Sequence, residues 1–395
     1  MDKSKAGTFI LNRGEPVHRW YSYIEGYSSC LVSNELDSLL EQGNRIESLY
    51  DPFSGTGTTG IVASTKGIQP YYSESNPFMQ FVTETKVNSV VCGRSKEINA
   101  KLNKCIQNLE NRPVMENTTW DGFEKYFEPC QLECILAIKN EIVKEEDILI
   151  KNILMLALSS IVVKCSKMIR RGDLRYAREK EYKRVDVYDL FFSKLQDIIS
   201  DVYSYEGKMK YPIVKISDDA RLNNEREKFD CVITSPPYLN GTNYIRNTKL
   251  ELKLNDFIKS EKDLPGFHSK GIVAGINNVS KRSGEREVLN EVEPFFKELV
   301  DKSYDKRIPK MVAGYFYDMN DMIEHLALSM RRNGYFIMDI GDSQFASVHI
   351  PTHQILSTLC ESHGLIKYEE DVLRERRSKN GMVLSQRILR FRKEV

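Results

Sequence analysis

The sequence predicts an α/β protein in which a mostly parallel sheet carries helices on both faces and a largely helical insertion interrupts the fold. A short apolar strand at Ile46–Tyr50 leads into a glycine-rich segment, residues 51–60 (DPFSGTGTTG), and then into a helix. The alternation of strands and helices resumes later, with strands at Phe229–Thr234 and Gly334–Ile340. Residues 91–212 instead show long helical periodicity, which indicates an insertion between two parts of one sheet.

The composition is that of a globular protein with one large domain or two. The chain has 395 residues, of which 41% are hydrophobic and 29% charged, and its net charge is +1. This balance does not identify a nucleic-acid partner, so such a partner has to be argued from local clusters of charge. No apolar run reaches the roughly 18 residues of a membrane helix, and the N-terminus lacks the apolar core of a signal peptide. We therefore expect no membrane segment.

Cysteine usage favours a reducing compartment and gives no sign of a metal centre. The eight cysteines are scattered through the chain, which is typical of free thiols in the cytoplasm. Cys130 and Cys134 lie four positions apart, but no second pair and no histidine cluster accompanies them. We therefore expect no metal site.

Several further elements are predicted from local patterns. The nearly all-apolar segment Ile148–Val163 is expected to form a buried helix, because it is too short to cross a bilayer. Helices are also predicted at Met319–Met330 and Pro351–His363. The alternating C-terminal tail around Asn380-Gly381 predicts a hairpin, because an Asn-Gly pair suits a tight turn between antiparallel strands.

The glycine-rich segment has the features of a nucleotide-binding turn. Gly55, Gly57 and Gly60 allow a tight bend and a close approach of the backbone to a ligand, and the following helix offers unpaired N–H groups. No Lys-Ser or Lys-Thr pair follows the last glycine, which excludes a Walker A phosphate loop. Glu74, at the end of the next strand, can bind two ribose hydroxyls. The pattern predicts an adenosine-type cofactor, and the turn alone does not exclude NAD.

A second motif, Ser235-Pro236-Pro237-Tyr238, follows the strand Phe229–Thr234. Its two prolines fix φ and remove two N–H donors, which leaves a rigid run of carbonyl acceptors. Such acceptors can bind the hydrogens of a planar amino group, while Tyr238 offers a face for a stacked base and Ser235 a hydroxyl for its edge. Because α/β sheets bind ligands at the carboxyl ends of their strands, the motif predicts a site for an amino-bearing base.

Residues 51–60 and 234–244 (TSPPYLNGTNY) together resemble the motifs of the DNA methyltransferases that transfer a methyl group from S-adenosylmethionine to an exocyclic amino group. Residues 16–28 (PVHRWYSYIEGYS) look like the segment that flanks the cofactor in this family. Residues 218–221 (DDAR) resemble its adenine-contacting loop, and residues 332–343 resemble its later strand. The arginine-rich C-terminal hairpin is similar to the family's closing strands.

The resemblance implies the class I methyltransferase fold, which is Rossmann-like, with a core formed by residues 1–90, 213–240 and 313–395. It implies S-adenosylmethionine as the cofactor, lying over the glycine-rich turn with its ribose on Glu74. The residues implied to contact the cofactor are Trp20, Tyr27, Ser28, Asp51, Phe53, Ser54, Gly55, Gly57, Thr58, Thr59, Glu74, Asp219 and Ala220.

The resemblance also implies direct methyl transfer without a covalent enzyme intermediate. The target nucleotide is flipped out of the duplex, because a stacked base cannot present its amino nitrogen to the cofactor. Tyr238 would stack on the flipped base, and the Pro236 carbonyl and the Ser235 hydroxyl would hydrogen-bond its amino group. The residues implied to be catalytic are Ser235, Pro236, Pro237 and Tyr238.

Two cues about the methylated base conflict. In the family, serine before Pro-Pro is found mainly in enzymes that act on cytosine N4, so Ser235 favours that position over adenine N6. The motif order, with the glycine-rich turn before Ser-Pro-Pro-Tyr, is commoner among the adenine enzymes. We give more weight to the local chemistry and keep adenine N6 as the alternative. Methylation at cytosine C5 is disfavoured, because it needs a thiolate nucleophile and no cysteine lies in the motif.

A basic segment suggests where DNA is held. Nine basic residues against three acidic ones lie between Lys164 and Arg184, with two tyrosines among them. Such a cluster suits phosphate contacts, although most charge runs are a solvated helix face. We expect the helical insertion 91–212 to contact DNA and the irregular insertion 241–312 to carry target recognition. The expected DNA-binding residues are Arg170, Arg171, Arg175, Arg178, Lys281 and Arg282, and a second basic cluster at the C-terminal hairpin comprises Arg374, Arg376, Arg377 and Lys379.

The expected partner is double-stranded DNA in the cytoplasm of a bacterium or archaeon, close to the nucleoid. No nuclease motif is recognisable, so a restriction or defence nuclease would act in trans. An RNA methyltransferase is a more distant alternative, because the sequence shows no separate RNA-binding module. An NAD-dependent oxidoreductase would leave Ser-Pro-Pro-Tyr unexplained, and the intact motifs argue against a binding protein without activity.

Overall fold

The structure is a computed structural model, and it describes residues 3–23, 26–115, 119–222, 227–239, 243–276, 279, 287–378 and 380–394. The strands, in chain order, are β1 (Ser48–Asp51), β2 (Gln69–Ser73), β3 (Met168–Arg171), β4 (Asp173–Tyr176), β5 (Val214–Ser217), β6 (Phe229–Thr234), β7 (Met330–Gly341), β8 (Ser343–Phe345), β9 (Val348–Ile350), β10 (Leu365–Arg377) and β11 (Val383–Lys393). The α-helices are α1 (Lys3–Ala6), α2 (Ser29–Glu41), α3 (Thr58–Thr65), α4 (Pro77–Val91), α5 (Ser95–Asn108), α6 (Pro129–Ile142), α7 (Ile148–Ile161), α8 (Val187–Tyr205), α9 (Lys249–Leu254), α10 (Pro265–His268), α11 (Glu293–Lys302), α12 (Arg307–Ser329) and α13 (Thr352–Ser362).

Seven of these strands form one sheet with the order β10-β11-β7-β6-β1-β2-β5. Strand β11 runs antiparallel to both of its neighbours, and the other neighbouring pairs in this sheet are parallel. The chain first builds outward from β1 through β2 to β5 and then returns to place β6 on the other side of β1. This topology confirms the predicted class I methyltransferase fold, and the reversal between β1 and β6 is the point where such sheets bind ligands.

Different helices cover the two faces of the sheet. Side chains along a strand point alternately to opposite faces. In β6, Cys231 and Ile233 pack with α2, whereas Val232 packs with α11, α12 and α13. The next strand repeats this division, with Ile337 on the first face and Phe336 on the second. Burial on both faces explains why these strands are continuously apolar rather than alternating.

A third apolar cluster joins α4 to the helices of the 91–212 stretch and to α9. The predicted buried helix Ile148–Val163 is present as α7, because its apolar side chains face neighbours on nearly every side. The basic segment forms the hairpin β3–β4 rather than a helix face, and Gly172 makes its turn with a φ of 77°. None of the described helices is long and apolar enough to span a bilayer.

Two predicted elements near the C-terminus differ in extent from the pattern-based expectation. Helix α12 begins at Arg307, well before the predicted start at Met319, because its first turns already bury Ile308 and Met311 against the sheet. The hairpin predicted around Gly381 is formed by β10 and β11, and that glycine has a φ of 85°. Its left-handed conformation is the reason for the Asn-Gly signal in the sequence.

Candidate active site

A cavity of about 520 Å³ lies at the carboxyl ends of β1 and β6, where the strand order reverses. Its wall joins the glycine-rich turn at residues 51–56 to Ser235–Tyr238. The N-terminal segment 7–10 and residues 267–272 complete the wall. A cavity of this volume is in the range that holds a cofactor or a nucleotide.

Asp51 is the last residue of β1. Its carboxylate, on the floor of this cavity, is hydrogen-bonded to four parts of the chain. Its Oδ2 accepts hydrogen bonds from the hydroxyls of Thr59 (2.7 Å) and Tyr27 (3.0 Å). Its Oδ1 accepts from the hydroxyl of Thr234 (2.6 Å) and from the backbone N–H of Phe53 (3.0 Å). Burial raises the pKa of Asp51, and the hydrogen bonds oppose that rise. Asp51 therefore positions the turn and the end of β6 relative to each other.

The glycine-rich turn depends on glycine at two positions. Gly55 and Gly57 have φ values of 52° and 79°, which side-chain-bearing residues rarely adopt. A Cβ atom on Gly57 would also lie 3.1 Å from the side chain of Thr83 in α4. The turn can therefore pack against α4 only because Gly57 has no side chain.

Lys86 of α4 is hydrogen-bonded to the backbone of the glycine-rich turn. Its buried ammonium group donates to the backbone carbonyls of Thr56 (3.3 Å) and His18 (3.1 Å). Burial, together with the charge of Lys194, lowers the pKa of Lys86 to about 7. No sequence motif singles out Lys86, because only the packing of α4 against the turn brings its ammonium group to this position.

Glu74, which follows β2, faces the cavity opposite the turn. Its Oε2 accepts from the backbone N–H of Gly55 (2.9 Å), and its Oε1 accepts from that of Asn76 (2.8 Å). Burial raises the pKa of Glu74 to about 7, although both N–H groups oppose the rise. The carboxylate therefore gains stability from any further hydrogen-bond donor that enters the cavity.

Tyr238 lies in the cavity wall, and hydrogen bonds to two neighbouring side chains fix its hydroxyl. The hydroxyl donates to Asp339 Oδ1 (3.1 Å) and accepts from Gln386 Nε2 (2.8 Å), and the backbone N–H donates to the Tyr244 hydroxyl (3.2 Å). The ring packs on Gly341, where an added Cβ would lie 3.2 Å from the ring atom Cε2. These contacts fix the ring plane while the side chain stays partly accessible from the cavity.

Asp339 and Gln386 are site residues that the sequence did not identify. Both line the cavity, and Gln386 Nε2 donates to Asp339 Oδ1 (2.9 Å). Burial raises the pKa of Asp339 to about 7, and the bonds from Gln386 and Tyr238 oppose the rise. No motif marks Gln386, because the antiparallel pairing of β11 with β7 alone brings it beside the Ser-Pro-Pro-Tyr segment.

The structure brings most of the predicted site residues to one cavity. The four residues Ser235–Tyr238 line it. Of the predicted cofactor contacts, those that line the cavity are Tyr27, Asp51, Phe53, Ser54, Gly55, Thr58, Glu74 and Ala220. Those that do not are Trp20, Ser28, Gly57, Thr59 and Asp219.

The residues away from the cavity have identifiable structural roles, and a direct contact of Trp20, Ser28 or Asp219 with the cofactor stays a prediction. Trp20 is buried, and its indole N–H donates to Asp201 (2.9 Å). The Ser28 side chain accepts from the N–H of Leu31 (3.2 Å) and so caps α2. Asp219 forms an ion pair with a neighbouring arginine. Gly57 and Thr59 act through the turn, as described above.

Asp219 pairs with Arg221 at 2.7 Å, and the same guanidinium bonds Asp318 at 2.8 Å. Both carboxylate oxygens of Asp219 accept hydrogen bonds from Arg221. Ala220 alone of this loop reaches the wall. The loop therefore approaches the cavity through a small apolar side chain rather than through a carboxylate.

The predicted DNA-binding arginines differ in their surroundings. The largely buried side chain of Arg170 pairs with Glu251 (2.6 Å) and donates to the backbone carbonyl of Asn247 (2.7 Å), and its DNA contact stays a prediction. Arg171 and Arg175 are more exposed, and both pair with Glu181. Arg178, the fourth predicted DNA-binding arginine that the structure describes, is exposed. Lys281 and Arg282 lie outside the described residues.

No group of three or more histidine, cysteine, aspartate or glutamate residues is arranged to hold a metal ion within the ranges that the structure describes. The cavity presents carboxylates, hydroxyls, backbone groups and aromatic rings. These groups suit a bound nucleotide and an amino-bearing ring.

No family model matches the chain. It is 25% identical over 402 aligned positions to the type II methyltransferase M.AvaI of Nostoc sp. strain PCC 7120, covering 91% of this chain and 81% of that protein. It is 22% identical over 410 positions to M.BsoBI of Geobacillus stearothermophilus (94% and 77% covered) and 21% identical over 400 positions to M.MvaI of Kocuria varians (91% and 84% covered), both also type II methyltransferases.

Among solved structures, the rRNA methyltransferase AviRa of Streptomyces viridochromogenes matches with a TM-score of 0.36 and 8% identity, covering 99% of this chain and 93% of that chain. A similarity this weak carries no argument about function. The sheet topology and the similarity to type II methyltransferases along nearly the whole chain define the class of the protein as a methyltransferase.

The structural role of Arg170 can be tested against its neighbour in the chain. We expect Arg170→Gln to lower the free energy of unfolding by about 3 kcal/mol or more, because it leaves the buried carboxylate of Glu251 without its partner. Arg171→Gln, at an exposed position, is expected to leave it nearly unchanged. Chemical denaturation of the two variants measures the difference. Equal losses would contradict the distinction between a buried and an exposed arginine.

Proposed function

We propose that the chain transfers a methyl group from S-adenosylmethionine to the exocyclic amino group of a flipped base in a specific DNA site, with cytosine N4 as the favoured target. The observation that carries the proposal is the cavity that joins the glycine-rich turn and Glu74 to Ser235–Tyr238. The type II methyltransferases similar to this chain support DNA as the substrate. Adenine N6 is the alternative target.

The turn side of the cavity fits S-adenosylmethionine. Glu74 can accept hydrogen bonds from two ribose hydroxyls, and such donors would stabilise the ionised form that burial disfavours. Phe53, Ala220 and Ile272 supply apolar wall for an adenine ring. When bound, S-adenosylmethionine supplies an electrophilic methyl group on its sulfonium. The chain's contribution on this side is to bind the cofactor and to orient it toward Ser235–Tyr238.

The Ser-Pro-Pro-Tyr side of the cavity fits an amino-bearing base. Tyr238 offers a ring whose plane is fixed by Asp339 and Gly341, so a base can stack on it without ordering the side chain first. The Pro236 carbonyl and the Ser235 hydroxyl can accept hydrogen bonds from the amino group. Acceptors in this position hold the amino nitrogen's lone pair toward the methyl donor, which stabilises the transition state.

The two prolines make this acceptor run rigid. Without N–H groups at positions 236 and 237, the segment has no backbone donors that compete for the base. Thr234, immediately before it, is anchored to Asp51, and Asp51 is anchored to the turn. The distance between the cofactor and the base would therefore be determined by the sheet rather than by a flexible loop.

Direct transfer to an amino group is favoured over methylation at cytosine C5, which requires a cysteine nucleophile. None of the chain's eight cysteines lines the cavity. Cys231, the closest in sequence to Ser235–Tyr238, is buried within β6 and its pKa is raised by burial. A thiol in that environment is not a nucleophile.

The proposal extends to the biological setting. The similarity to type II methyltransferases supports a role in a restriction-modification or defence system, with any nuclease acting in trans. We propose a cytoplasmic location on host DNA. An RNA methyltransferase stays the more distant alternative.

The target base can be identified without knowing the recognition sequence. DNA from cells expressing the chain is digested to nucleosides and analysed by mass spectrometry, with cells carrying the empty vector as the control. We expect N4-methylcytosine. N6-methyladenine would select the alternative target, and methylated nucleosides in RNA alone would overturn the proposed DNA substrate. Long-read sequencing of the same DNA then maps the modified site.

The roles of the rigid acceptors and the stacking ring can be tested separately from cofactor binding. We expect Tyr238→Ala and Pro236→Ala to lower the rate of methyl transfer by about 100-fold or more, because each loosens the position of the base, while S-adenosylmethionine affinity is retained. Tyr238→Phe keeps the ring and is the matched control, with most activity preserved. Radiolabelled methyl transfer and calorimetry give the two readouts. Retained turnover in both alanine variants would refute the mechanism.

The cofactor affinity should depend on pH through Glu74. Its pKa of about 7 means that the carboxylate is protonated at lower pH and ionised at higher pH, and the ionised form is the better acceptor for ribose hydroxyls. We expect affinity to fall by up to about tenfold per pH unit below that value and to level off above it. Titration calorimetry between about pH 5.5 and 8.5 measures this.

Two variants separate Glu74 from the other cavity carboxyl that titrates near the same pH. Glu74→Gln should bind the cofactor more weakly and without the pH dependence. Asp339→Asn should keep the dependence, because Asp339 lies behind Tyr238 rather than beside the turn. A flat profile in the wild-type chain, or an unchanged profile in Glu74→Gln, would contradict the assignment.

A further inference from the structure

Three arginines without a carboxylate partner line the cavity: Arg13 from the N-terminal segment, and Arg374 and Arg376 from β10. All three are exposed, and none forms an ion pair within the described part of the chain. Among the described residues, one further arginine or lysine side chain lines the cavity, that of Lys270, and it is neutralised. Lys270 pairs with Asp218 at 2.8 Å.

A β-bulge gives the two β10 arginines their direction. The register of β10 against β11 shifts at Leu373, which is an extra residue without a partner. As a result, Arg374 lies directly opposite Gln386, and directly opposite residues in an antiparallel pair share one face of the sheet. Arg376, two residues further on, shares that face. Since Gln386 bonds the Tyr238 hydroxyl, the bulge places both arginines next to the Ser-Pro-Pro-Tyr segment.

Negative charge lies on the floor of the cavity, and positive charge lies at its rim. The carboxylates of Asp51, Glu74 and Asp339 lie on the inside, and the exposed guanidinium groups lie on the outside. Arg374 is close enough to favour the ionised form of Asp339, although burial dominates and raises the pKa of that carboxyl to about 7. An anionic ligand is therefore repelled from the interior and attracted to the rim.

We propose that Arg13, Arg374 and Arg376 bind the phosphodiester groups on either side of the nucleotide whose base enters the cavity. This inference rests on the proposed function, because it assumes a nucleic-acid substrate. A flipped nucleotide stays joined to its strand by two phosphates, so these groups remain at the rim while the base enters. Guanidinium groups bind phosphate oxygens in pairs, which adds orientation to attraction.

The basic hairpin β3–β4 is a weaker candidate for this role. Its exposed arginines Arg171 and Arg175 share the carboxylate of Glu181, which neutralises part of their charge. Arg170 is committed to a buried ion pair. Within the described residues the rim arginines form no ion pair, and they lie on the cavity itself rather than on a separate surface.

The experiment uses the full chain and a duplex that contains the site mapped by sequencing. Affinity for this duplex is measured as a function of salt concentration for Arg13→Gln, Arg374→Gln, Arg376→Gln and the triple variant. Arg332→Gln is the matched control, because Arg332 is also exposed and forms no ion pair within the described chain. It lies near the start of β7, whereas the cavity lies at the other end of that strand. The affinity for S-adenosylmethionine and the methylation KM and kcat are measured in parallel.

We expect each rim variant to weaken duplex binding by roughly tenfold at about 0.1 M salt and to lower the slope of log affinity against log salt by about 1. The triple variant should lower the slope by about 2, one for each flanking phosphate, with a raised KM for DNA and unchanged cofactor affinity. A duplex with uncharged methylphosphonates at the two phosphates flanking the target nucleotide should bind the triple variant and the wild type almost equally. Arg332→Gln should behave as the wild type.

The outcomes separate this inference from the proposed function. If the wild type methylates the duplex but the rim variants keep its affinity and salt slope, the phosphate contacts are refuted and the methyltransferase proposal stands. If the rim variants lose S-adenosylmethionine affinity instead, the arginines serve the cofactor and the inference is overturned. If the wild type methylates no DNA, the proposed function fails and the inference fails with it.

Discussion

The arrangement of the whole site depends on one buried carboxylate. Asp51 ends the strand β1 and accepts four hydrogen bonds, of which two come from Thr59 in the first turn of α3 and Thr234 at the end of β6. A carboxylate without these donors would be costly to bury, and the four bonds together offset part of that cost. Because Thr59 follows the glycine-rich turn and Thr234 precedes Ser235, a single group sets the distance between the two halves of the cavity.

Around this anchor, the site keeps several ionisable groups in environments that disfavour their charge. Burial lowers the pKa of Lys86 and raises those of Glu74 and Asp339, each to about 7. The sheet and its covering helices provide the rigid frame that makes this possible, because burial on both faces leaves the strand ends little freedom. The resulting cavity has polar groups ready to pair with a ligand, and an exposed cationic rim through which an anionic chain can approach.

Local sequence patterns predicted the elements that are determined by nearby residues. The strand, turn and helix around Gly57 and the hairpin around Gly381 were predictable, because left-handed backbone at these positions calls for glycine. These patterns did not predict the side-chain environments that depend on residues far away in the chain. Arg170 looks like its exposed neighbours in the sequence, and only the partner Glu251 from α9 explains why it is buried. Trp20 likewise belongs to a hydrogen bond with Asp201 of α8, far away along the chain.

By itself, the sequence determined the fold class, the glycine-rich turn with Glu74 and the rigid Ser-Pro-Pro-Tyr segment, because periodicity, glycine and proline act on the backbone within a few residues of themselves. Only the tertiary structure decided that the turn and the tyrosine face one cavity, that Asp339 and Gln386 hold that tyrosine, and that three unpaired arginines surround the entrance. The physical reason is that strand order and register bring together residues hundreds of positions apart, and the register shift at Leu373 changes which side chains meet.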